Sequence, residues 1–228
     1  MRRQIAVVAK YPFYVNDIRE SLLELDVEIY SSTDILEIQE LIDAGNEFEC
    51  IFFPHYSKII PSSFLQRNSC IGFHTGDLPS DRGGSPIQHK ILRGEYLTFV
   101  NALKLTPEID AGDLIYRENV SLENGSIETI LKNISKIIAG MIKVILVENP
   151  TPTPQLGSES TYSRLKPQNS YLDLGVLGIR EIYDRIRMLD GLDYPPANLK
   201  IGSHTLHLRD ARLQDGKLTF ISQIEEIQ

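Results

Sequence analysis

Four short runs of apolar, β-branched residues recur early in the chain: IAVVAK (5–10), VEIYSS (27–32), CIFFP (50–54) and CIGFH (70–74). Each has the length of a strand, and continuous apolar runs of that length suit strands buried on both faces. Between the first two lies NDIRESLLELD (16–26), where Ile18, Leu22, Leu23 and Leu25 mark a helical apolar face and Asn16 is a good N-cap. Between the second and third lies STDILEIQELIDAG (32–45), capped by Thr33 or Asp34 and stopped by Gly45. Strand–helix–strand units in succession imply a parallel sheet with right-handed crossovers, hence an α/β fold.

The character changes after residue 94. TFVNALKLT (98–106) alternates as an antiparallel or edge strand does, and DLIYRENVSL (113–122) reads as its returning partner across a turn at Asp110-Ala111-Gly112. A long helix follows, with Ser126 and Glu128 near its start and Pro150 ending it. Residues 151–170 are rich in Pro, Ser, Thr and Gln, the composition of a crossing loop. A helix over 179–189 and a hairpin turning at Asp215-Gly216 complete the chain. The expected organisation is a domain over 1–150 and a linker, helix and small β appendage over 151–228, packed on the first domain.

Net charge narrows the partners. With 23 basic against 31 acidic residues the chain carries −8. Nucleic-acid affinity rests on phosphate neutralisation by Lys and Arg, so a nucleic-acid partner is not expected. One small phosphorylated ligand needs only one or two local cations. No run approaches the ~20 apolar residues of a membrane span, so no membrane association is expected either. Cys50 and Cys70 each open an apolar strand and read as small buried hydrophobes, consistent with a reducing cytoplasm.

The chemistry concentrates in CIGFHTGDLPSDRGGSPIQHKILRG (70–94) and EIDAGDL (108–114). A strand delivers His74 into a polar, glycine-rich loop before a helix opening at Pro86, which is how α/β proteins build sites at the carboxyl ends of their strands. Gly83 and Gly84 allow close approach to a ligand, and the helix start offers free N–H groups. His74 and Asp110, presented from two loops, form a plausible acid/base pair. His55 and Tyr56 follow the third strand and belong to the same rim. Arg164 and Lys166 are candidate cations for a diphosphate, and Tyr194 in the Tyr-Pro-Pro turn is a candidate to stack on a base. No cluster has metal-ligand spacing.

The run His74-Thr75-Gly76-Asp77-Leu78-Pro79-x-x-Arg82-Gly83-Gly84-Ser85-Pro86-Ile87-Gln88, followed by Asp110-Ala111-Gly112, resembles the signature of the folate-dependent formyltransferases. FFPHYSKIIP (52–61), LDGLDYPPA (189–197) and the crossing segment look most like the branch acting on nucleotide-linked 4-amino-4,6-dideoxy sugars of the pseudaminic-acid type. The resemblance implies a Rossmann-like formyltransferase fold and transfer of a formyl group from N10-formyltetrahydrofolate, without a metal, to the primary amine of a nucleotide-diphosphate amino sugar. It implies His74 and Asp110 as catalytic residues. It places the folate at Arg82, Gly83, Gly84, Ser85, Pro86, Ile87 and Asp113, and the acceptor at His55, Tyr56, Thr75, Asp77, Arg164, Lys166 and Tyr194. The sugar branch also implies a homodimer. The family's catalytic Asn does not carry over, because Gly72 stands two residues before His74. Alternatives are a phosphoribosylglycinamide-type formyltransferase and a folate-pocket binding protein whose catalysis is weak or lost through Gly72. A methionyl-tRNA acceptor is disfavoured by the net charge and the short tail.

Overall fold

The computed structural model describes residues 2–226. In chain order its first elements are β1 (Arg3–Val8), α1 (Pro12–Ser21), β2 (Val27–Ser32), α2 (Ile35–Asp43), β3 (Cys50–Phe53), α3 (Ser62–Arg67), β4 (Cys70–Thr75) and β5 (Arg82–Gly83). The middle of the chain forms α4 (Pro86–Leu92), β6 (Leu97–Lys104), β7 (Leu114–Ser121) and α5 (Ile127–Glu148). β8 (Thr161–Tyr162), a 3-10 turn at Pro167–Ser170, α6 (Ile179–Arg187), β9 (Ala197–Ile201), β10 (His204–Gln214) and β11 (Lys217–Glu226) complete it. The contacts group into two compact units, each discontinuous in sequence.

The first unit comprises residues 1–83, 98–120 and 132–161. Its six-stranded sheet has the order β2-β1-β3-β4-β6-β7. β1 pairs in parallel with β2 and β3, β3 pairs in parallel with β4, and β6 is antiparallel to β4. The expected α/β fold with a mostly parallel sheet is thus present. The continuous apolar runs have the burial they required: Ile5, Ala6, Val7, Val8 and Phe52 are inaccessible to solvent. Asp34 caps α2 by accepting from Leu36 N–H.

α1 departs from its expected position. It begins at Pro12 and not beyond Asn16, because proline at the first helical position presets φ and leaves no wasted donor. Ile18 and Leu22 are buried as expected, but Leu23 lies exposed beyond the helix end. α3 had no signal in the sequence, since six residues are too few to show a period.

The second unit comprises residues 84–97, 121–131 and 162–228. Its sheet has the order β11-β10-β9. The hairpin falls at Asp215-Gly216, with φ of 51° and 70°, the left-handed pair that a two-residue I′ turn demands. α6 is fixed by a buried pair, Arg187 Nε to Asp184 Oδ1 at 2.6 Å. Tyr96 Oη also donates to Asp184 at 2.5 Å, and Arg187 Nη1 donates to the Gly125 carbonyl at 3.1 Å. Removing one partner would strand a buried charge, at a cost of about 3–5 kcal/mol.

Candidate active site

The site of the first unit is built at the carboxyl end of β4. His74, its penultimate residue, is 6% exposed. Its Nδ1 lies 3.3 Å from Asp110 Oδ2, and its Nε2 lies 2.6 Å from the Asp81 carbonyl. A carbonyl only accepts, so the second contact needs a hydrogen on Nε2. A neutral ring would then turn a bare Nδ1 toward the Asp110 carboxylate; the doubly protonated ring serves both partners.

Asp110 sits at φ +53° in the turn between β6 and β7. Its Oδ2 accepts from Gly83 N–H at 3.0 Å. Burial pushes its carboxyl up, but hydrogen bonds from His74 and Gly83 and the charges of His74 and Arg82 outweigh this, leaving it below the usual carboxylate range. Gly112 is obligatory in that turn, because any side chain there would collide with the Lys104 carbonyl.

Two buried features frame His74. Across the ladder stands Asn101, inaccessible to solvent, whose Nδ2 donates to the carbonyls of His74 (3.1 Å) and Gly76 (2.7 Å). Two residues before His74, on the same face of the strand, Gly72 is backed by Leu105: a Cβ at position 72 would lie 2.5 Å from Leu105 Cδ2. The place of a side chain at 72 is taken by leucine.

The other residues expected at the site are distributed as follows. Arg82 is buried and its guanidinium is committed to Gln155 (3.0 and 3.2 Å) and Glu159 (3.0 Å). Asp77 accepts from Arg117 at 3.0 Å, Thr75 is buried, and Asp113 is exposed. His55, at φ +50°, stacks with Tyr11 and Tyr14. Tyr56 packs on Phe53, with its hydroxyl buried and raised in pKa by that burial. These rings form an aromatic cluster after β3.

In the second unit, Gly84 presses on the Arg164 backbone, where an added Cβ would meet it at 2.7 Å. Arg164 itself is exposed. Ser85 (φ +54°) precedes Pro86 at the start of α4, and Ile87 is buried. Ser85, Lys166 and Tyr194 line a cavity of about 130 Å³ together with Gln88, Leu165 and Met188. Its walls are mostly apolar.

Sequence reading missed Asn101, Gln155 and Asp81. Asn101 left one trace, a lone amide within an otherwise apolar stretch; the carbonyl of Asp81 leaves none in any sequence.

A histidine–carboxylate pair at the carboxyl end of a parallel strand, with a glycine-rich loop supplying a backbone donor, is an arrangement suited to acid/base chemistry in an α/β fold. A family model described as formyl transferase matches residues 24–139, and one described as the C-terminal domain of methionyl-tRNA formyltransferase matches residues 167–225. The chain belongs to the formyl transferase family.

A solved structure, methionyl-tRNA formyltransferase from Clostridium thermocellum, is similar with a TM-score of 0.88 and 33% identity over 98% of this chain and 99% of that one. Methionyl-tRNA formyltransferase of Streptococcus pyogenes serotype M49 (strain NZ131) is 26% identical over 220 residues, 93% of this chain and 70% of that protein. A 4-N formyltransferase from Francisella tularensis shares the fold, with a TM-score of 0.68 at 18% identity over 96% of each chain. The family resemblance read from the sequence therefore holds, while the more similar relatives bear the methionyl-tRNA name and not a sugar one. Among the described residues no helix is long and apolar enough to cross a membrane, and no three His, Cys, Asp or Glu are grouped to hold a metal ion.

Proposed function

We propose that the protein transfers a formyl group from N10-formyltetrahydrofolate to the primary amine of a nucleotide-linked amino sugar. The observation that carries formyl transfer is the His74–Asp110 pair, with Gly83 N–H on the carboxylate. Attack by an amine on the formyl carbon creates an oxyanion and a positive nitrogen. His74 takes the proton from that nitrogen through Nε2 and Asp110 stabilises the resulting imidazolium. The oxyanion then collapses, the bond to N10 breaks, and His74 returns the proton to N10, which leaves as part of tetrahydrofolate. Because Nε2 carries a hydrogen toward the Asp81 carbonyl at rest, the ring first opens that contact and loses that hydrogen to solvent, keeping Nδ1–H on Asp110, and only then meets the amine as a base. With Gly72 in place of the family Asn, position 72 offers the oxyanion no side-chain donor.

Charge supports a small acceptor. In the second unit Arg180 and Arg187 are committed to Asp184, Arg209 to Asp190 and Arg212 to Asp210, so the charge these four arginines offer a polyanion is offset by neighbouring carboxylates. Lys166 and Tyr194 at the cavity supply one cation and one aromatic face, enough for a single nucleotide diphosphate. A second reading, methionyl-tRNA as acceptor, is favoured by the names of the relatives and by the family model over 167–225.

The test gives the protein N10-formyltetrahydrofolate with, separately, uridine- and thymidine-diphosphate 4-amino-4,6-dideoxy sugars, glycinamide ribonucleotide, and methionyl-tRNA. Mass spectrometry then looks for one added formyl. Product from an amino sugar supports the reading; product from methionyl-tRNA alone replaces it with the second.

A further inference from the structure

We propose that Gln155 is a positioning residue for the catalytic carboxylate, acting through Asp110; this rests on the formyl-transfer reading. Residues 151–160 look like a linker, rich in Pro, Thr and Ser, and all of them are exposed except Gln155. That one side chain uses its full hydrogen-bonding capacity. Its Nε2 donates to the carbonyls of Asp110 (2.7 Å) and Gly112 (2.8 Å), and its Oε1 accepts from Arg82 Nη2 and Nε (3.0 and 3.2 Å).

The consequence is geometric. Asp110 occupies a left-handed conformation that non-glycine residues adopt at a cost. One side of its turn is held by β6, through Lys104 N–H donating to the Asp113 carbonyl at 2.9 Å. The other side is held by the Gln155 amide. Through Oε1 the same side chain grips Arg82, whose neighbour Gly83 donates to the Asp110 carboxylate. Gln155 thus ties together the loop that carries the carboxylate and the loop that orients it toward His74 Nδ1. The strap is anchored independently: Thr153 and Leu114 exchange backbone bonds of 2.8 Å in both directions, and Glu159 binds Arg82 at 3.0 Å. Loss of Gln155 should therefore loosen the carboxylate while the strap stays in place.

The experiment compares Gln155→Ala, Gln155→Glu, Asp110→Ala and the double variant Gln155→Ala/Asp110→Ala. The assay uses N10-formyltetrahydrofolate with whichever acceptor of the panel above yields product. Positioning predicts that kcat falls about 10- to 100-fold in Gln155→Ala, as a displaced catalytic group would cause. KM should hold within about threefold. Gln155→Glu should be equally impaired: its carboxylate still suits Arg82 but repels the two carbonyls. In the Asp110→Ala background Gln155→Ala should add less than about twofold, since it acts through the missing group.

Full activity in Gln155→Glu, or additive losses in the double variant, would overturn the proposal by reducing Gln155 to an anchor for Arg82. Asp110→Ala with undiminished transfer would instead sink the reading of the site itself. A substrate-free arm covers the case in which no acceptor reacts. Followed by its 13C carboxyl shift, Asp110 should titrate below the usual carboxylate range in the unaltered protein and move up toward it in Gln155→Ala. An unmoved titration counts against the proposal.

Discussion

Position 72 offers the sharpest test of how this site is packed. Gly72 lies opposite Leu103 in the β4–β6 ladder, two pairs away from His74 and Asn101. A side chain there would enter the space of Leu105, whose Cδ2 and Cγ would lie 2.5 and 3.1 Å from the new Cβ. Gly72→Asn alone therefore overpacks the site and should destabilise by about 1–3 kcal/mol. Leu105 is only partly buried against the core cluster of β1, β3 and α2, so Leu105→Ala should cost about 2 kcal/mol, the lower end for a leucine truncation. Combined, the two changes exchange one occupant of the space for another. The double variant should be more stable than the sum of the singles by about 1 kcal/mol or more.

The same pair carries a catalytic expectation. An amide at 72, two residues before His74 on the same strand face, is placed to donate toward a developing oxyanion. One such donor is worth about 10²–10³ in kcat where it is used. Urea denaturation reads the coupling, and formyl transfer reads the gain; kcat above the unaltered protein in Gly72→Asn/Leu105→Ala, but not in either single, is the expected result. Additive stabilities would refute the packing argument. Full coupling with no gain would show that the oxyanion is already met by another group.

Three further outcomes follow from the same geometry. His74→Ala and Asp110→Asn should each lower kcat by about 10²–10⁴ while circular dichroism stays unchanged, and activity within a few-fold of normal in either would remove the acid/base pair from the chemistry. Asp110 has a depressed carboxyl pKa, so its contribution to stability is present above the usual carboxylate range and fades as pH falls through its folded value; stability of Asp110→Asn should lack that acid limb in a pH series of urea midpoints. Cys50 and Cys70 are buried, with burial pushing each thiol up to about 12, so iodoacetamide at about pH 8 should label neither until the protein unfolds.

What the sequence displayed and what it hid divide along physical lines. The parallel strands were legible because burial on both faces forces uninterrupted apolar runs, and β1 carries one from Ile5 to Val8 and β3 along its whole length. Asp215-Gly216 was legible because only a few residue pairs tolerate two successive left-handed conformations. His74 and Asp110 stood out because each is a titratable side chain set close to glycines in the sequence. β6 was harder. Its alternation suggested an antiparallel or edge strand; it is antiparallel to β4 but lies inside the sheet, between β4 and β7, and Asn101 is buried. A polar residue in an alternating strand points outward on average, and only the position of the strand in the sheet reverses that.

The least legible contributions come from groups every residue possesses. His74 Nε2 is met by a carbonyl of Asp81, the carboxylate by an N–H of Gly83, and the Asp110 turn is gripped at two carbonyls by Gln155. Backbone groups carry no residue-specific mark, so their role depends on the path of the chain and not on its letters. Gln155 combines both difficulties. Its partners are backbone atoms 45 and 43 residues away, and its neighbours have the composition of a linker. A segment whose sequence asks only for flexibility can hold one side chain that grips the turn carrying the site's carboxylate, and partial burial confined to that single residue is the physical sign of it.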